Sequence, residues 1–121
     1  MCFPLSTHLS KNPSAEVVPR VGRVRLDLAG VLGRIHSIRV LCNGQSDQYW
    51  RNYMRNLLEL EAPSPGYLRS RMVDNFNSSY TEEQAAQGSC SVSATRAETT
   101  LSERGRQITD SLASMASGVT P

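Results

Sequence analysis

LGRIHSIRVLCNGQSDQYWRNYM, residues 32–54, decides the fold of this 121-residue chain. The stretch contains the end of one predicted helix, a polar turn at Asn43-Gly44, and the start of a second helix with the single tryptophan, Trp50. Glycine, and to a lesser extent asparagine, tolerates the left-handed conformation in which helices end. The stretch therefore predicts a corner between two helices.

The first helix is predicted from Leu28, where apolar residues begin to recur at spacings of three and four. Asp27 is its expected N-cap, because a carboxylate oxygen can accept a backbone N–H that the first turn leaves free. Cys42 is then expected on the core face at the end of this helix. The apolar stripe comprises Leu28, Val31, Leu32, Ile35, Ile38 and Cys42.

The second helix is predicted to begin with Ser46 as its cap and Asp47 beside it, where negative charge suits the positive end of the macrodipole. Pro63 is expected to end it. Its apolar residues spread over more than one face, which predicts contacts on two sides. These residues are Tyr49, Trp50, Tyr53, Met54, Leu57, Leu58 and Leu60.

Two further helices follow. Ser64-Pro65 predicts the start of the third, because a cap residue followed by proline is typical of a helix start. Gly88 is expected to end it, and the fourth is predicted to begin near Ser91 or Ser93. Apolar residues recur at steps of four in the third helix, at Leu68, Met72, Phe76 and Tyr80. In the fourth they are Ala97, Leu101, Ile108, Leu112 and Met115.

These patterns predict an all-α protein, a small antiparallel four-helix bundle. Its length fits one domain. Residues 1–24 mix proline, serine, threonine and asparagine without periodicity, which predicts a flexible leader. The helical domain is expected over residues 25–117, and residues 118–121 form a tail.

Charge and hydropathy exclude two classes of protein. The net charge is +2, but residues 1–25 hold four of the thirteen basic residues and one of the eleven acidic ones. The remainder has nine basic against ten acidic residues, a net of −1, so nucleic-acid binding is not predicted. No run of about 20 apolar residues occurs, so no membrane-spanning helix is predicted.

Catalytic and metal-binding motifs are missing from the sequence. It contains no CxxC, HxxxH or HExxH spacing, no GxSxG elbow and no glycine-rich phosphate loop. Gly30 and Gly33 fall inside the first predicted helix, where they favour close approach of another helix rather than phosphate binding. We therefore predict neither an enzyme nor a bound metal or cofactor.

Trp50 leaves two interpretations open. It can pack over the end of the bundle as part of the core, or it can stay partly exposed as an anchor for a partner. Tryptophan and arginine are enriched at interface hot spots. The candidate interaction surface comprises Tyr49, Trp50, Arg51 and His36. For His36, a packed and hydrogen-bonded position beside the apolar stripe is the alternative to a role in binding.

The three cysteines also leave alternatives open. In an up-down-up-down bundle Cys42 and Cys90 lie at the same end, where a disulfide would require Cα atoms within about 4.4 to 6.8 Å. Two reduced, buried thiols are the alternative, and the leftover Cys2 makes the count odd. A disulfide would imply an oxidising compartment, whereas reduced thiols suit a cytosolic helical regulatory or interaction protein.

One motif connects these features to a known family. Residues 32–51 follow the pattern LGxIHxIRxLCNGQxDQYWR, and later matches are Glu61-Ala62-Pro63, Phe76-Asn77, Tyr80 and Cys90. Over residues 26–116 the chain resembles domain of unknown function 2385, a family of small alphaproteobacterial proteins. The resemblance implies two well-separated cysteines joined in a disulfide, here Cys42 and Cys90, and secretion to the periplasm.

The resemblance implies no activity, cofactor or catalytic residue. It favours a disulfide-stabilised protein of the cell envelope that binds an unidentified protein or other envelope component. The chain departs from the family in two places. MCFPLSTHLSKNPSAEVVPR, residues 1–20, lacks the pattern of a secretory signal, which predicts either a cytosolic protein or a true start further upstream. Glu83 and Gln87 stand where the family tends to have aromatic residues, which predicts a looser end of the third helix.

Overall fold

A computed structural model describes residues 2–3 and 20–116, and the latter form four α-helices. These are α1 (Arg20–Asn43), α2 (Tyr49–Glu61), α3 (Tyr67–Gln87) and α4 (Val92–Ala116). The described residues contain no strand, so the predicted all-α class is confirmed. Residues 1, 4–19 and 117–121, most of the predicted leader and tail, lie outside the described residues, and the predicted domain boundaries stay predictions.

Helix α1 lies at the centre of the molecule. It packs against each of the other helices, most extensively against α3, whereas α2, α3 and α4 make few contacts with one another. Burial therefore extends well beyond the single predicted stripe. The buried residues of α1 are Gly22, Leu26, Leu28, Ala29, Val31, Leu32, Gly33, Ile35, His36, Ser37, Ile38 and Val40. Helix α2, in contrast, buries only Met54 and Leu58 and packs chiefly against α1, not on two sides as predicted.

Helices α1 and α3 run in the same direction. Near their starts, the Nδ2 atom of Asn75 donates a hydrogen bond of 3.2 Å to the carbonyl oxygen of Leu26. Further along both helices, Nη1 of Arg34 donates to Oε1 of Glu83 at 3.2 Å. Because both contacts advance together along the two chains, the helices are parallel, as the up-down-up-down prediction requires.

Helices α2 and α4 run antiparallel to α1. An ion pair of 3.2 Å joins Arg25 near the start of α1 to Glu61 at the end of α2. A second pair, of 3.4 Å, joins Arg39 near the end of α1 to Glu98 near the start of α4. Both pairs reverse the order of the residues along the two helices, so the antiparallel arrangement of consecutive helices is confirmed.

Gly33 brings α1 and α3 into backbone contact. A Cβ atom built on Gly33 would overlap the carbonyl oxygen of Phe76 and lie 3.0 and 3.1 Å from its C and Cα atoms. At Gly30, one turn earlier, an added Cβ would lie 3.2 Å from the hydroxyl oxygen of Ser79. The two glycines therefore admit a neighbouring helix, as the sequence predicts.

The start of α1 differs from its prediction. The helix begins at Arg20, and Asp27 lies exposed inside it, so the expected N-cap at Asp27 is wrong. The earlier turns are held in the fold because Leu26 is buried and its carbonyl oxygen accepts the hydrogen bond from Asn75. Residues 20–24, predicted as leader, are therefore helical.

The predicted boundary between α3 and α4 is confirmed. Gly88 follows the last residue of α3 with a φ of 68°, a left-handed conformation that favours glycine. The hydroxyl oxygen of Ser91 accepts the backbone N–H of Ala94 at 3.1 Å and thereby caps α4. Helix α3 begins at Tyr67, later than Ser64-Pro65 predicts, because these two residues lie in a bend.

We expect Gly33→Ala to lower the free energy of unfolding by about 2 to 3 kcal/mol, because the added methyl group meets backbone that cannot rotate away. Gly105→Ala is the control. Its Cβ would lie 3.5 Å from a methyl carbon of Val31, an ordinary contact, and alanine favours helix over glycine by up to about 1 kcal/mol. Urea denaturation measures both variants. Equal stability of the two would contradict the close approach at Gly33.

Candidate functional site

The corner between α1 and α2 is organised around the carboxylate of Asp47. It accepts hydrogen bonds from Nδ2 of Asn43 at 2.8 Å and Nε of Arg39 at 3.0 Å. Its other oxygen accepts the backbone N–H of Tyr49, the first residue of α2, at 3.3 Å. The N-cap position is Gln48, so the prediction of Ser46 as the cap is wrong. The hydrogen bond from Asn43, together with those from Tyr49 and Arg39, holds the pKa of Asp47 below its ordinary value.

A disulfide joins Cys42 to Cys90 at the same end of the molecule, with their Cα atoms 5.0 Å apart. Cys42 lies at the end of α1 and is half-buried, while Cys90 is exposed in the connection from α3 to α4. The bond closes a loop between positions 48 apart, for which the chain-entropy model gives about 4 kcal/mol of stabilisation. Cys2 carries a free thiol.

Three aromatic side chains form one cluster on α2, which we call the aromatic surface: Tyr49, Trp50 and Tyr53. The ring centroids of Tyr49 and Trp50 lie 5.0 Å apart, nearly perpendicular, and those of Trp50 and Tyr53 lie 5.4 Å apart. Tyr49 is 61% exposed and Tyr53 38% exposed. Trp50 is half-buried against the core, so it combines features of both interpretations that the sequence leaves open.

A cavity of about 240 Å³ adjoins the aromatic surface, between α1, α2 and α4. Its walls are apolar on the side of α1 and α2 and mostly polar on the side of α4. The lining residues are Leu28, Leu32, Ile35, Trp50, Tyr53, Ser102, Gly105, Arg106, Thr109 and Asp110. The indole N–H of Trp50 is buried and has no hydrogen-bond partner among the residues that the structure describes.

His36 does not belong to this surface. Its side chain is 0% exposed, and its ring lies 5.8 Å from that of Phe76 and 5.3 Å from that of Tyr80. The prediction of His36 as part of an interaction surface is therefore wrong, because α3 covers this face of α1. His36 is instead a packed residue of the α1–α3 contact.

Arg51 also faces away from the cluster formed by its neighbours in sequence. Its guanidinium lies over the ring of Phe3, 4.6 Å from the centroid. Arg51 thus contacts the beginning of the chain, whereas Trp50 contacts the cavity. The structure brings Tyr49 and Trp50 together and separates Arg51 and His36 from them.

The model of the family described as protein of unknown function (DUF2385) matches residues 23–115. The chain belongs to this family. A comparison with curated proteins and another with solved structures gave no match. The family membership predicted from the corner motif and the second cysteine is therefore confirmed, and it carries no assigned activity.

Two parts of the candidate site in this member of the DUF2385 family were not predicted from the sequence. Tyr53 completes the aromatic surface, and its spacing of three from Trp50 and four from Tyr49 was a usable signal, since such residues share a helix face. For the α4 wall of the cavity, which includes Arg106 and Asp110, the sequence contains no comparable signal. These two residues form an ion pair of 2.9 Å within α4, and only the fold shows that they lie across from α2.

Other site types find no support in the described part of this DUF2385 chain. Residues 2–3 and 20–116 contain no group of three or more histidines, cysteines and acidic residues that could hold a metal ion. Among the same residues, none of the helices has the length and apolar character needed to cross a membrane. The aromatic surface with its cavity is the candidate that remains to be explained.

We expect Asp47→Asn to destabilise the protein at neutral pH and to lose that effect in acid. The folded pKa of Asp47 is lowered, so its contribution is complete above the unfolded value of about 3.9 and disappears as pH falls through the folded value. Urea denaturation of wild type and variant at several pH values measures the difference. Asp74→Asn, an exposed site on α3, is the control, and a difference for Asp47→Asn that does not shrink as the pH is lowered would contradict the assignment.

Proposed function

We propose that this protein is a non-enzymatic binding protein of the alphaproteobacterial periplasm, which captures another envelope protein through the aromatic surface. The observation that carries the proposal is the half-exposed cluster of Tyr49, Trp50 and Tyr53 beside a cavity. Large aromatic side chains that remain partly exposed next to a recess are typical of the anchors of protein interfaces.

The shape of the cavity favours an apolar side chain of the partner. An apolar cavity of about 150 Å³ can hold benzene, so the 240 Å³ here have room for one large apolar side chain. Its floor, formed by Leu28, Leu32 and Ile35, is apolar, and the charged pair of Arg106 and Asp110 lies at the α4 wall. This combination of an apolar centre and a charged edge is common in interfaces between proteins.

The disulfide supports the choice of compartment. Disulfides persist in oxidising environments such as the periplasm and are rare in the cytosol. Cys42 and Cys90 are bonded across the contact between α1 and the α3–α4 connection, so the bond is a structural part of the corner that presents the aromatic surface. The secretory signals typical of this family's members agree with an oxidising compartment.

We expect Cys42 and Cys90 to resist alkylation in living cells. Treating intact cells with iodoacetamide before lysis, followed by mass analysis without reduction, measures this. Cys2 has a free thiol and serves as the internal control, because it should be alkylated under denaturing conditions in the same sample. Alkylation of both Cys42 and Cys90 would contradict the periplasmic proposal and favour a cytosolic interaction protein with reduced cysteines.

We expect a photo-cross-linking amino acid at position 53 to give a discrete protein adduct in cells, because Tyr53 lies at the mouth of the cavity. The control is position 60, where Leu60 is 79% exposed on the same helix but lies outside the aromatic surface. With the captured partner, Trp50→Ala should then weaken binding at least about tenfold, while Leu60→Ser leaves it unchanged.

Two results would contradict the binding role. The first is the same adducts at positions 53 and 60, since these would show random collision. The second is unchanged partner binding by Trp50→Ala together with a large fall in melting temperature. That outcome would assign Trp50 to the core alone.

A further inference from the structure

The beginning of the chain occupies a cleft between α2 and α3, separate from the aromatic surface. The ring of Phe3 meets the ring of Phe76 edge to face, with centroids 5.1 Å apart and planes at 76°. The guanidinium of Arg51 lies over the ring of Phe3, an arrangement stabilised by attraction between cation and ring. Phe3 is therefore held by an arginine of α2 and a buried phenylalanine of α3.

Asn77 binds the backbone of the same residue. The backbone N–H of Phe3 donates to Oδ1 of Asn77 at 2.9 Å, and Nδ2 of Asn77 donates to the carbonyl oxygen of Phe3 at 2.8 Å. One side-chain amide thus satisfies both polar backbone groups of one residue. Backbone pairing of this kind accepts any residue type, so selectivity comes from the ring contacts.

The sequence around Phe3 favours this binding mode. Phe3 precedes Pro4, and the residue before a proline is restricted to extended conformations. An extended residue presents its N–H and carbonyl groups with little loss of conformational freedom on binding. The ring, the N–H and the carbonyl that are bound all belong to one residue, so the cleft recognises a local feature that a segment of any protein can carry.

We infer that the cleft formed by Arg51, Phe76 and Asn77 binds an extended segment of another protein in which phenylalanine is followed by proline, and that Phe3 competes for it from within the chain. Phe3 is connected to α1 through residues 4–19. A tethered competitor acts at a high effective concentration. A free segment therefore binds more tightly once Phe3 is removed.

The test uses the full-length chain and a synthetic peptide, MSFPLST, which corresponds to residues 1–7 with serine at position 2. Nuclear magnetic resonance of the side-chain N–H groups of Arg51 and Asn77 reports binding at the cleft, and the indole N–H of Trp50 reports the other site. We expect the peptide to bind Phe3→Ala at least about fivefold more tightly than wild type. The Arg51 and Asn77 signals should shift while the Trp50 signal stays in place.

Matched controls isolate the two kinds of contact. The peptide MSAPLST lacks the ring and should bind neither chain. Adding Asn77→Ala to Phe3→Ala should abolish the shift of Arg51, whereas adding Asn52→Ala, an exposed asparagine on α2, should not.

Three results would overturn the inference. The first is no shift of Arg51 or Asn77 with MSFPLST in Phe3→Ala, and the second is equal shifts with both peptides. The third is a wild-type dimer that becomes a monomer on Phe3→Ala, because the cleft would then hold the first residues of a second copy.

Discussion

The backbone contact between α1 and α3 at Gly33 sets the register on which the rest of the structure depends. From Gly33 the helix α1 continues for nine residues to Cys42, a rise of about 13 Å. From Phe76, opposite Gly33, α3 continues to Gln87, a rise of about 16 Å. The two parallel helices therefore end close together, and the short segment after Gly88 brings Cys90 within bonding distance of Cys42. A side chain at position 33 would separate the helices and disturb this geometry.

Local signals predicted the boundary between α3 and α4, where Gly88 and Ser91 have the conformation and the hydrogen bond that their residue types favour. The starts of α1 and α3 differ from their predictions, because burial and contacts with other helices also decide where a helix begins. The central position of α1 was not predictable in the same way. His36 and Ser37 are polar yet buried. His36 packs against Phe76 and Tyr80 of α3, and a count of apolar residues along one helix cannot detect such neighbours.

In the candidate site, too, the sequence alone did not show which side chains lie next to one another. Tyr49 and Trp50 were predicted and do form one cluster, but Arg51 contacts Phe3 on another face. Consecutive residues of a helix point about 100° apart, so the three neighbours Tyr49, Trp50 and Arg51 together span about 200° and do not share one surface. Tyr53 shares it instead, because three residues along a helix return to nearly the same face. Spacing along the helix is therefore a better guide to such a site than proximity in sequence.

The aromatic surface lies on α2, which packs less extensively against α1 than α3 and α4 do. Helix α2 buries only Met54 and Leu58, so apolar packing alone fixes its position weakly. Its two ends are held by other means. At the start, Asp47 accepts the backbone N–H of Tyr49 and pairs with Arg39, and at the end Glu61 pairs with Arg25. Ion pairs that water still reaches, such as these two partly buried ones, contribute little energy individually, but they are directional where apolar contacts are not. Their placement at both ends favours one orientation of α2, and under the proposed function a surface held in one orientation would lose less entropy on binding.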